Sequence, residues 1–230
     1  MRILLTNDDG IEAPGIEALR QAAEEFGELV VAAPLVGLSG CGHQTTTKGS
    51  IDVKKIGPDR YSVDGTPADC TRVALHALEL EVDLVLSGIN AGGNMGVDTY
   101  ESGTVAAARE AVLLGIPAIA VSQYVRKDLE LVWDNGIEWT RVILREWLGS
   151  DHLLDNSRPV LWNINLPHLP PSATKPDHVL CQCDHSPHPV KFQATEGGFT
   201  YTGNYHDRPR LRGSDVDVCM GGQIAVTRLL

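Results

Sequence analysis

The chain is short of basic residues and of long apolar runs, and each shortage excludes a class of protein. Its 230 residues include 19 Lys and Arg against 30 Asp and Glu, which gives a formal net charge of −11 at pH 7. Such an acidic chain is poorly suited to bind nucleic-acid duplexes or anionic membrane surfaces. No apolar stretch approaches the roughly 20 residues that span a bilayer, and no secretory leader pattern opens the chain. We therefore expect a cytoplasmic protein.

Cysteine is also scarce, and its five copies do not form a disulfide framework. The number is odd, and a chain of this length with 43% hydrophobic residues can bury a core of its own. Reduced thiols are therefore expected. Cys181, Cys183, His185 and His188 place four potential zinc ligands within eight residues. The Cys-x-Cys spacing is unusual for structural zinc, so we favour a reduced cysteine pair on one strand over a zinc site.

Three common catalytic signatures are missing. No Gly-x-Gly-x-x-Gly follows the first apolar run, and no Walker A sequence is present, which disfavours NAD binding and P-loop NTPase chemistry. The absence of a Gly-x-Ser-x-Gly elbow argues against an α/β-hydrolase. The functional residues must therefore lie in other motifs.

Short apolar runs alternate with helical patterns through the first two thirds of the chain. Strands are predicted at 3–6, 29–33, 83–87, 116–121, 160–166 and 223–227, extended pieces at 45–53 and 61–63, and helices at 14–26, 66–78, 103–114 and 133–148. In the second helix, Val73, Ala74, Ala77 and Leu78 are expected to form the buried face. This alternation predicts an α/β protein with a Rossmann-like, mostly parallel sheet and helices on both faces.

The chain changes character after Pro167. Residues 172–215 are polar, rich in His, Pro and Gly, and lack helical periodicity. We predict a catalytic core over 1–170, an extended arm or hairpin excursion over 171–215, and a final strand returning to the core over 216–230.

Asp8 and Asp9 follow the first predicted strand directly. In an open α/β sheet, ligands bind beyond the carboxyl ends of the strands. Two carboxylates about 4 Å apart repel by about 4 kcal/mol at an effective dielectric near 20. A divalent cation such as Mg²⁺ or Mn²⁺ would offset this repulsion, because hard ions prefer oxygen ligands. The alternative is a turn whose carboxylates cap the next helix.

Three further loops bear polar residues that suit phosphate chemistry. Ser39 and Gly40 follow the second strand, and residues 87–94 follow the strand from Asp83, so both loops can meet Asp8 and Asp9. Ser102, Gly103 and Thr104 open a helix whose N–H groups and dipole favour an anion. The alternative for this segment is a well-capped helix whose alanines pack tightly on the sheet. His43, near Ser39, could reach the site or simply hydrogen-bond at the surface.

Taken together, these motifs resemble the SurE family of metal-dependent nucleoside monophosphate phosphatases. The resemblance is dense over residues 1–122 and sparse afterwards. The matching segments are 3–15 (ILLTNDDGIEAPG), 31–34 (VAAP), 39–40 (SG), 65–70 (GTPADC), 87–92 (SGINAG), 102–108 (SGTVAAA), 163–167 (NINLP) and the ending at 214–229.

The resemblance implies one divalent cation per subunit, Mg²⁺ or Mn²⁺, and hydrolysis of nucleoside 5′- and 3′-monophosphates. It implies an arm used for assembly into a homodimer or homotetramer. The resemblance implies the metal ligands Asp8, Asp9, Ser39 and Asn90 and the phosphate contacts Asn94, Ser102, Gly103 and Thr104. Asp8 and Asp9 are also the candidate catalytic residues. Asn7 and His43, which lie close to these motifs in the sequence, are further candidates.

One departure bears on function. Glu101 stands where relatives often carry Tyr, and a carboxylate there could weaken phosphate binding or alter substrate choice. Because of Glu101, a nucleotide-binding module without catalysis stays open. A broad-specificity phosphomonoesterase or exopolyphosphatase also stays open, because the sequence has no readable base-recognition motif.

Overall fold

The strands and helices alternate along the chain as the sequence predicts. The computed structural model describes residues 1–148, 153–155 and 158–230. Its strands are β1 Arg2–Thr6, β2 Glu28–Pro34, β3 Val53–Gly57, β4 Arg60–Val63, β5 Leu84–Ala91, β6 Ala118–Gln123, β7 Leu154–Asp155, β8 Arg158–Pro159, β9 Leu161–Leu166, β10 His178–Leu180, β11 Phe192–Thr195, β12 Gly198–Tyr201 and β13 Ile224–Arg228.

Five α-helices accompany these strands in the described part of the chain. The α-helices are α1 Pro14–Ala23, α2 Pro67–Arg72, α3 Gly103–Leu113, α4 Asp134–Trp147 and α5 Asp215–Met220. A π-helical turn covers Val73–Ala77, and 3₁₀ turns cover Gly96–Tyr100 and Tyr205–Asp207.

Within the described residues, nine strands form one mixed sheet in the order β10-β13-β9-β6-β5-β1-β2-β4-β3. Only the β13–β9 and β3–β4 pairings in this sheet are antiparallel. From β1 the chain moves to β2 and β4 on one side, and then returns to β5 on the other side of β1. The crevice beyond β1 and β5 is therefore a topological switch point, where open α/β sheets bind ligands.

Apolar side chains alternate between the two faces of the central strands, so both faces are covered. Ile3 and Leu5 pack in the cluster that includes Leu19 of α1 and Ile143 of α4. Leu4 packs in the opposite cluster, together with alanines of α3. Helices on both faces of a mostly parallel sheet confirm the predicted fold class, and the small residues let α3 approach the sheet closely.

Two helix starts carry the predicted caps. The Thr66 side chain accepts a hydrogen bond from the Asp69 N–H, and the Asp69 side chain accepts one from the Thr66 N–H, which makes a capping box before α2. The Ser102 side chain accepts a hydrogen bond from Val105 N at the start of α3. These caps fix where each helix begins beside the switch point.

Some expectations were wrong in detail. The helix that starts at Pro67 continues through the π-helical turn, which changes the angular spacing of side chains, so Ala77 is exposed rather than buried. The extended segment at 45–53 is irregular except for Val53, where the edge strand begins. Helix α5 was not expected, because six residues are too few to show helical periodicity.

The segment after Pro167 combines sheet and excursion. Strand β10 pairs in parallel with β13 and so belongs to the main sheet. Strands β11 and β12 form a separate antiparallel hairpin in which every residue is exposed. The expected hairpin excursion is therefore present, and the division at 170 and 215 stays a prediction. Among the residues described, no helix combines the length and apolar character needed to cross a membrane.

Candidate active site

A pocket of about 280 Å³ lies at the switch point, beyond the carboxyl ends of β1 and β5. Six of the side chains expected at the site line it: Asp8, Asp9, Ser39, Asn90, Asn94 and Ser102. They lie after β1 and β2, at the end of β5 and in the loop that follows it, and at the N-cap of α3. The parallel sheet brings the loops together because it places the ends of its strands on one edge.

Asp8 is the most enclosed acidic group of the pocket, with a relative exposure of 4%. The Thr104 hydroxyl donates a hydrogen bond of 2.5 Å to Asp8 Oδ1. Burial raises the pKa of Asp8 to about 6, while the bond from Thr104 opposes the rise and the charge of Asp9 adds to it. The first strand and the third helix therefore meet at one carboxylate.

Asp9 is less enclosed than Asp8 and has fewer partners. Ala91 N donates to Asp9 Oδ2 at 3.4 Å, and burial raises the pKa of this carboxyl too. In the part of the chain that the structure describes, no Lys, Arg or His forms an ion pair with Asp8 or Asp9. Two adjacent carboxylates without a cationic side chain leave negative charge uncompensated.

Ser39 and Asn90 add neutral oxygens to the pocket. The loop after β2 is tied to the first strand by a 2.8 Å bond from Leu38 N to the Asp8 carbonyl, so the exposed Ser39 is held beside the carboxylates. The Asn90 amide nitrogen donates to the Gly92 carbonyl at 2.7 Å. That bond orients the Asn90 side chain and leaves its amide oxygen for another partner.

These four donors suit a hard divalent cation. Two carboxylates, a hydroxyl and an amide oxygen are ligands that Mg²⁺ and Mn²⁺ accept, with further positions for water and phosphate oxygens. Across residues 1–148, 153–155 and 158–230, no three His, Cys, Asp or Glu side chains gather into a metal-ligand group. The donor set here has only two such side chains, Asp8 and Asp9. Mg²⁺ is usually bound by one or two carboxylates together with water and substrate phosphates, so this set fits such a cation.

The start of α3 faces the same carboxylate. A Cβ on Gly103 would lie 2.7 Å from Asp8 Cβ and 3.0 Å from Asp8 Oδ2, so only glycine allows this approach. The first N–H groups of an α-helix have no partner within the helix and attract anions. The structure thus places an anion-attracting helix start directly beside the two carboxylates.

Asn94 and Asn7 use their side chains for hydrogen bonds within the protein. Asn94 lines the pocket, but its amide nitrogen donates to the Ser122 hydroxyl at 2.8 Å. Asn7 bonds the Gly10 backbone in both directions, at 2.9 and 3.2 Å, and so closes the turn that presents Asp8 and Asp9. Asn7 therefore shapes the loop from beneath.

His43 does not line the pocket. Its Nε2 lies 2.7 Å from Glu110 Oε2, and Arg72 Nε donates to the other Glu110 oxygen at 2.7 Å. Glu110 is buried on α3, so His43 anchors the loop that carries Ser39 to that helix. The structure brings His43 near the site without directing it into the pocket.

Three pocket residues were not predicted as binding groups: Asp98, Tyr205 and, as part of the wall, Glu101. Asp98 pairs with the Arg208 guanidinium and lies 3.1 Å from His188 Nε2. The Tyr205 hydroxyl donates to the Gly93 carbonyl at 3.2 Å, and Arg208 lies over its ring at 5.0 Å. No sequence signal links residues 98 and 205, because the contact depends on how the excursion folds back.

The cysteine–histidine cluster does not form a metal site. Cys181 Sγ lies 3.6 Å from the Val226 carbonyl and 3.7 Å from the Thr227 hydroxyl, while His188 faces Asp98. Cys181 and His188 therefore have separate surroundings, Cys183 and His185 line another pocket, and none of the five cysteines is in a disulfide.

Fold and site together define a Rossmann-like α/β protein with an acidic, oxygen-rich pocket beside a helix start. The chain belongs to the SurE family: the family described as "Survival protein SurE" matches residues 3–187. This confirms the family resemblance that the motifs indicate.

Two relatives and one solved structure match this chain over nearly their whole length. "Putative 5'-nucleotidase alr3139" of Nostoc sp. (strain PCC 7120) is 47% identical over 233 residues, with 100% of this chain and 99% of the relative covered. The 5′-nucleotidase SurE of Geotalea uraniireducens is 36% identical over 251 residues, covering 100% and 92%. The crystal structure of the SurE protein from Aquifex aeolicus superposes with a TM-score of 0.86 at 32% identity, covering 100% and 93%.

Proposed function

We propose that the protein is a metal-dependent phosphomonoesterase that hydrolyses nucleoside 5′- and 3′-monophosphates. The observation that carries this proposal is the contact between buried Asp8 and the start of α3, through Thr104 and Gly103. It joins cation-binding oxygens and a phosphate-attracting helix end in one pocket. The names of the relatives from Nostoc and Geotalea support a nucleotide substrate.

One divalent cation, Mg²⁺ or Mn²⁺, held by Asp8, Asp9, Ser39 and Asn90 would supply positive charge against the phosphoryl oxygens. The N–H groups at the start of α3 bind the remaining phosphate oxygens. Ser102 accepts a hydrogen bond from Val105 N, so its own proton is available to donate to phosphate. Helix and loops together fix the phosphorus atom for attack.

The attacking water is oriented by Asp8 or Asp9, and the hydrogen bond from Thr104 to Asp8 favours Asp9 for this role. The water oxygen forms a bond to phosphorus while its proton passes to the carboxylate, and the bond from phosphorus to the ester oxygen breaks. The departing oxygen takes up a proton from solvent to give the nucleoside hydroxyl, and the carboxylate returns its proton to solvent. Direct attack by water leaves no phosphoryl group on the protein.

A substrate panel tests this proposal. Phosphate release from 5′-AMP, 3′-AMP and tripolyphosphate is measured with Mn²⁺, with Mg²⁺ and with EDTA. Hydrolysis of both nucleotides that stops with EDTA supports the proposal. Faster release from tripolyphosphate than from either nucleotide would instead indicate an exopolyphosphatase, and an acid-labile phosphoenzyme in a rapid quench would contradict direct attack by water.

A binding module without catalysis is the second candidate, and Glu101 favours it. Glu101 lines a pocket that is also lined by Asp8, Asp9 and Asp98, so it adds a fourth acidic residue near the proposed phosphate position. This candidate predicts saturable binding of AMP with no phosphate release. Recovery of hydrolysis in Glu101→Tyr would show that this one carboxylate suppresses catalysis.

The hairpin is proposed to join subunits in a homodimer or homotetramer. Phe192, Phe199 and Tyr201 are all exposed on it, and exposed apolar patches mark protein interfaces. Light scattering coupled to size-exclusion chromatography tests this. Replacement of Phe192 and Phe199 by Ser should yield monomers, whereas an unchanged mass would exclude the hairpin. The five free cysteines suit the cytoplasm as the proposed compartment.

A further inference from the structure

A second pocket of about 510 Å³ lies behind the 3₁₀ turn Gly96–Tyr100. Its walls are this turn, α3, the segment after β10 and the end of β13. Thr99 and Tyr100 face this second pocket, whereas Asp98 and Glu101 line the catalytic one. The two pockets are therefore neighbours on either side of one short stretch of chain.

The second pocket is basic, although the protein is acidic overall. Arg109, His185 and Arg228 line it together with Leu230, whose backbone oxygen accepts a hydrogen bond from Arg228, and no Asp or Glu side chain lines it among the residues the structure describes. The whole chain has a net charge of −11. A concave surface whose charged side chains are all basic is therefore an unusual local concentration of positive charge. Such a surface attracts anions rather than the cations that suit the catalytic pocket.

Arg109 is the most enclosed basic side chain of the pocket, since His185 and Arg228 are exposed. It is half-buried on α3, and its Nη2 donates to the Thr99 carbonyl at 3.0 Å. Its Nη1 lies 3.5 Å from His43 Nδ1. A guanidinium carries five N–H donors, so these two contacts leave donors for a ligand.

Arg109 has no acidic partner in the described ranges of the chain, since none of their ion pairs includes it. Burial lowers the pKa of this guanidinium, as expected for a cation that loses water without gaining a counter-charge. The group nevertheless stays protonated at neutral pH. A bound anion would supply the missing charge.

We propose that this second pocket binds a phosphate-type oxyanion, held by Arg109 with Arg228 and His185 around it. A planar guanidinium offers paired N–H groups that match two oxygens of a phosphate. Arg228 is exposed, and its Nε donates to the Leu230 backbone oxygen at 3.2 Å, which positions its side chain at the pocket rim. Free phosphate and the phosphate group of a nucleotide share this chemistry.

Nuclear magnetic resonance of the full chain in EDTA tests the proposal, because backbone amide shifts report each pocket separately. Inorganic phosphate is titrated into the wild type, Arg109→Gln and Arg145→Gln. Arg145 is an exposed arginine of α4 that pairs with Glu25, so its replacement makes the same change in charge far from the pocket. Cys183 and Leu229 report the second pocket, and Gly103 reports the catalytic one.

The expected result is saturable shifts at Cys183 and Leu229 in the wild type and in Arg145→Gln. In Arg109→Gln, apparent affinity at these amides falls by about tenfold or more, while the shifts at Gly103 keep their midpoint. Arg228→Gln should also lower the phosphate affinity that these amides report. It replaces Arg109→Gln as the test variant if Arg109→Gln does not fold. No saturation at Cys183 and Leu229, or equal affinity in Arg109→Gln and wild type, would overturn the proposal.

A second titration with AMP distinguishes the two sources of phosphate. Tighter binding of AMP than of inorganic phosphate at Cys183 indicates a nucleotide, and equal or weaker binding indicates free phosphate; both outcomes support an oxyanion site. Because EDTA prevents metal-dependent turnover, the result does not depend on hydrolysis in the catalytic pocket. A protein that releases no phosphate from AMP could still show this second site.

Discussion

Thr104 donates its hydroxyl proton to Asp8 over 2.5 Å, and this bond joins the first strand to the third helix. The two residues are 96 positions apart in the sequence, and both are buried. Asp8 carries the charge that a cation needs, while Thr104 belongs to the helix start that a phosphate needs. The bond therefore sets the distance between the two halves of the proposed site.

Replacing Thr104 by Val should weaken both folding and catalysis. Valine keeps the shape of the side chain but leaves Asp8 Oδ1 without its donor, at a cost of about 1–3 kcal/mol for a buried group. We expect lower unfolding free energy in urea and at least about tenfold lower kcat/KM, which corresponds to 1.4 kcal/mol. Thr104→Ser retains the hydroxyl and is the control. Equal losses of stability and of kcat/KM in Thr104→Val and Thr104→Ser would show that side-chain packing, and not the hydrogen bond to Asp8, causes the effect.

Asp8 should make the metal-free protein less stable as the pH rises. Its pKa of about 6 lies above the ordinary 3.8, so folding favours the protonated form. This stabilisation is complete below about pH 4 and is lost as the pH rises through about 6; its size is on the order of 3 kcal/mol. The unfolding free energy of wild type relative to Asp8→Asn should therefore fall between pH 4 and pH 7, as measured by urea unfolding in EDTA.

Asp128→Asn is the control for that pH series. Asp128 is exposed, and its hydrogen bond from Arg126 lowers the pKa of the carboxyl, so any effect should have the opposite sign. If the difference between wild type and Asp8→Asn does not change with pH, Asp8 ionises in the folded protein as it does in water.

A divalent cation should reverse the destabilisation at neutral pH. Binding to the folded state alone stabilises it by about 2.7 kcal/mol at a concentration of one hundred times Kd. For a chain of this length, each kcal/mol raises Tm by about 2–4 °C. Calorimetry with Mn²⁺ or Mg²⁺ should show this rise for wild type and little for Asp8→Asn. Equal rises in both proteins would place the cation elsewhere.

Gly103→Ala should abolish most activity, because the added Cβ would meet Asp8 Cβ at 2.7 Å and Pro67 Cγ at 3.0 Å. Either the helix start or the carboxylate must move, and displacements of about 1 Å can cost a hundredfold in rate. Gly198→Ala is the matched control, since its Cβ would meet nothing within 4 Å. Steady-state kinetics of both variants would decide: normal turnover in Gly103→Ala would disprove close packing at this position.

The central strands and the pocket's location could be predicted from local sequence. Apolar runs that end at Asp8 or before Asn90 have the length and stop signals of buried parallel strands, and their shared edge follows from topology. Caps such as Thr66 and Ser102 were equally visible, because the cap and its partner lie three residues apart.

Contacts over long distances in sequence could not be predicted. Tyr205 reaches Gly93, and Arg208 reaches Asp98, only after the polar excursion folds back on the sheet. Their sequence surroundings have no periodicity that would indicate burial. The basic pocket around Arg109 likewise combines residues from α3, β13 and the segment after β10, and no local pattern joins them.

The most direct test of the account is phosphate release from 5′-AMP by wild type and Asp8→Asn, each with Mn²⁺ and with EDTA. The account predicts release by wild type only with the cation, and a rate lower by orders of magnitude in a folded Asp8→Asn variant, because Asp8 is both a cation ligand and part of the reacting centre. Asp128→Asn should retain the wild-type rate. Unchanged release by Asp8→Asn with Mn²⁺, or full wild-type release in EDTA, would contradict the central claim.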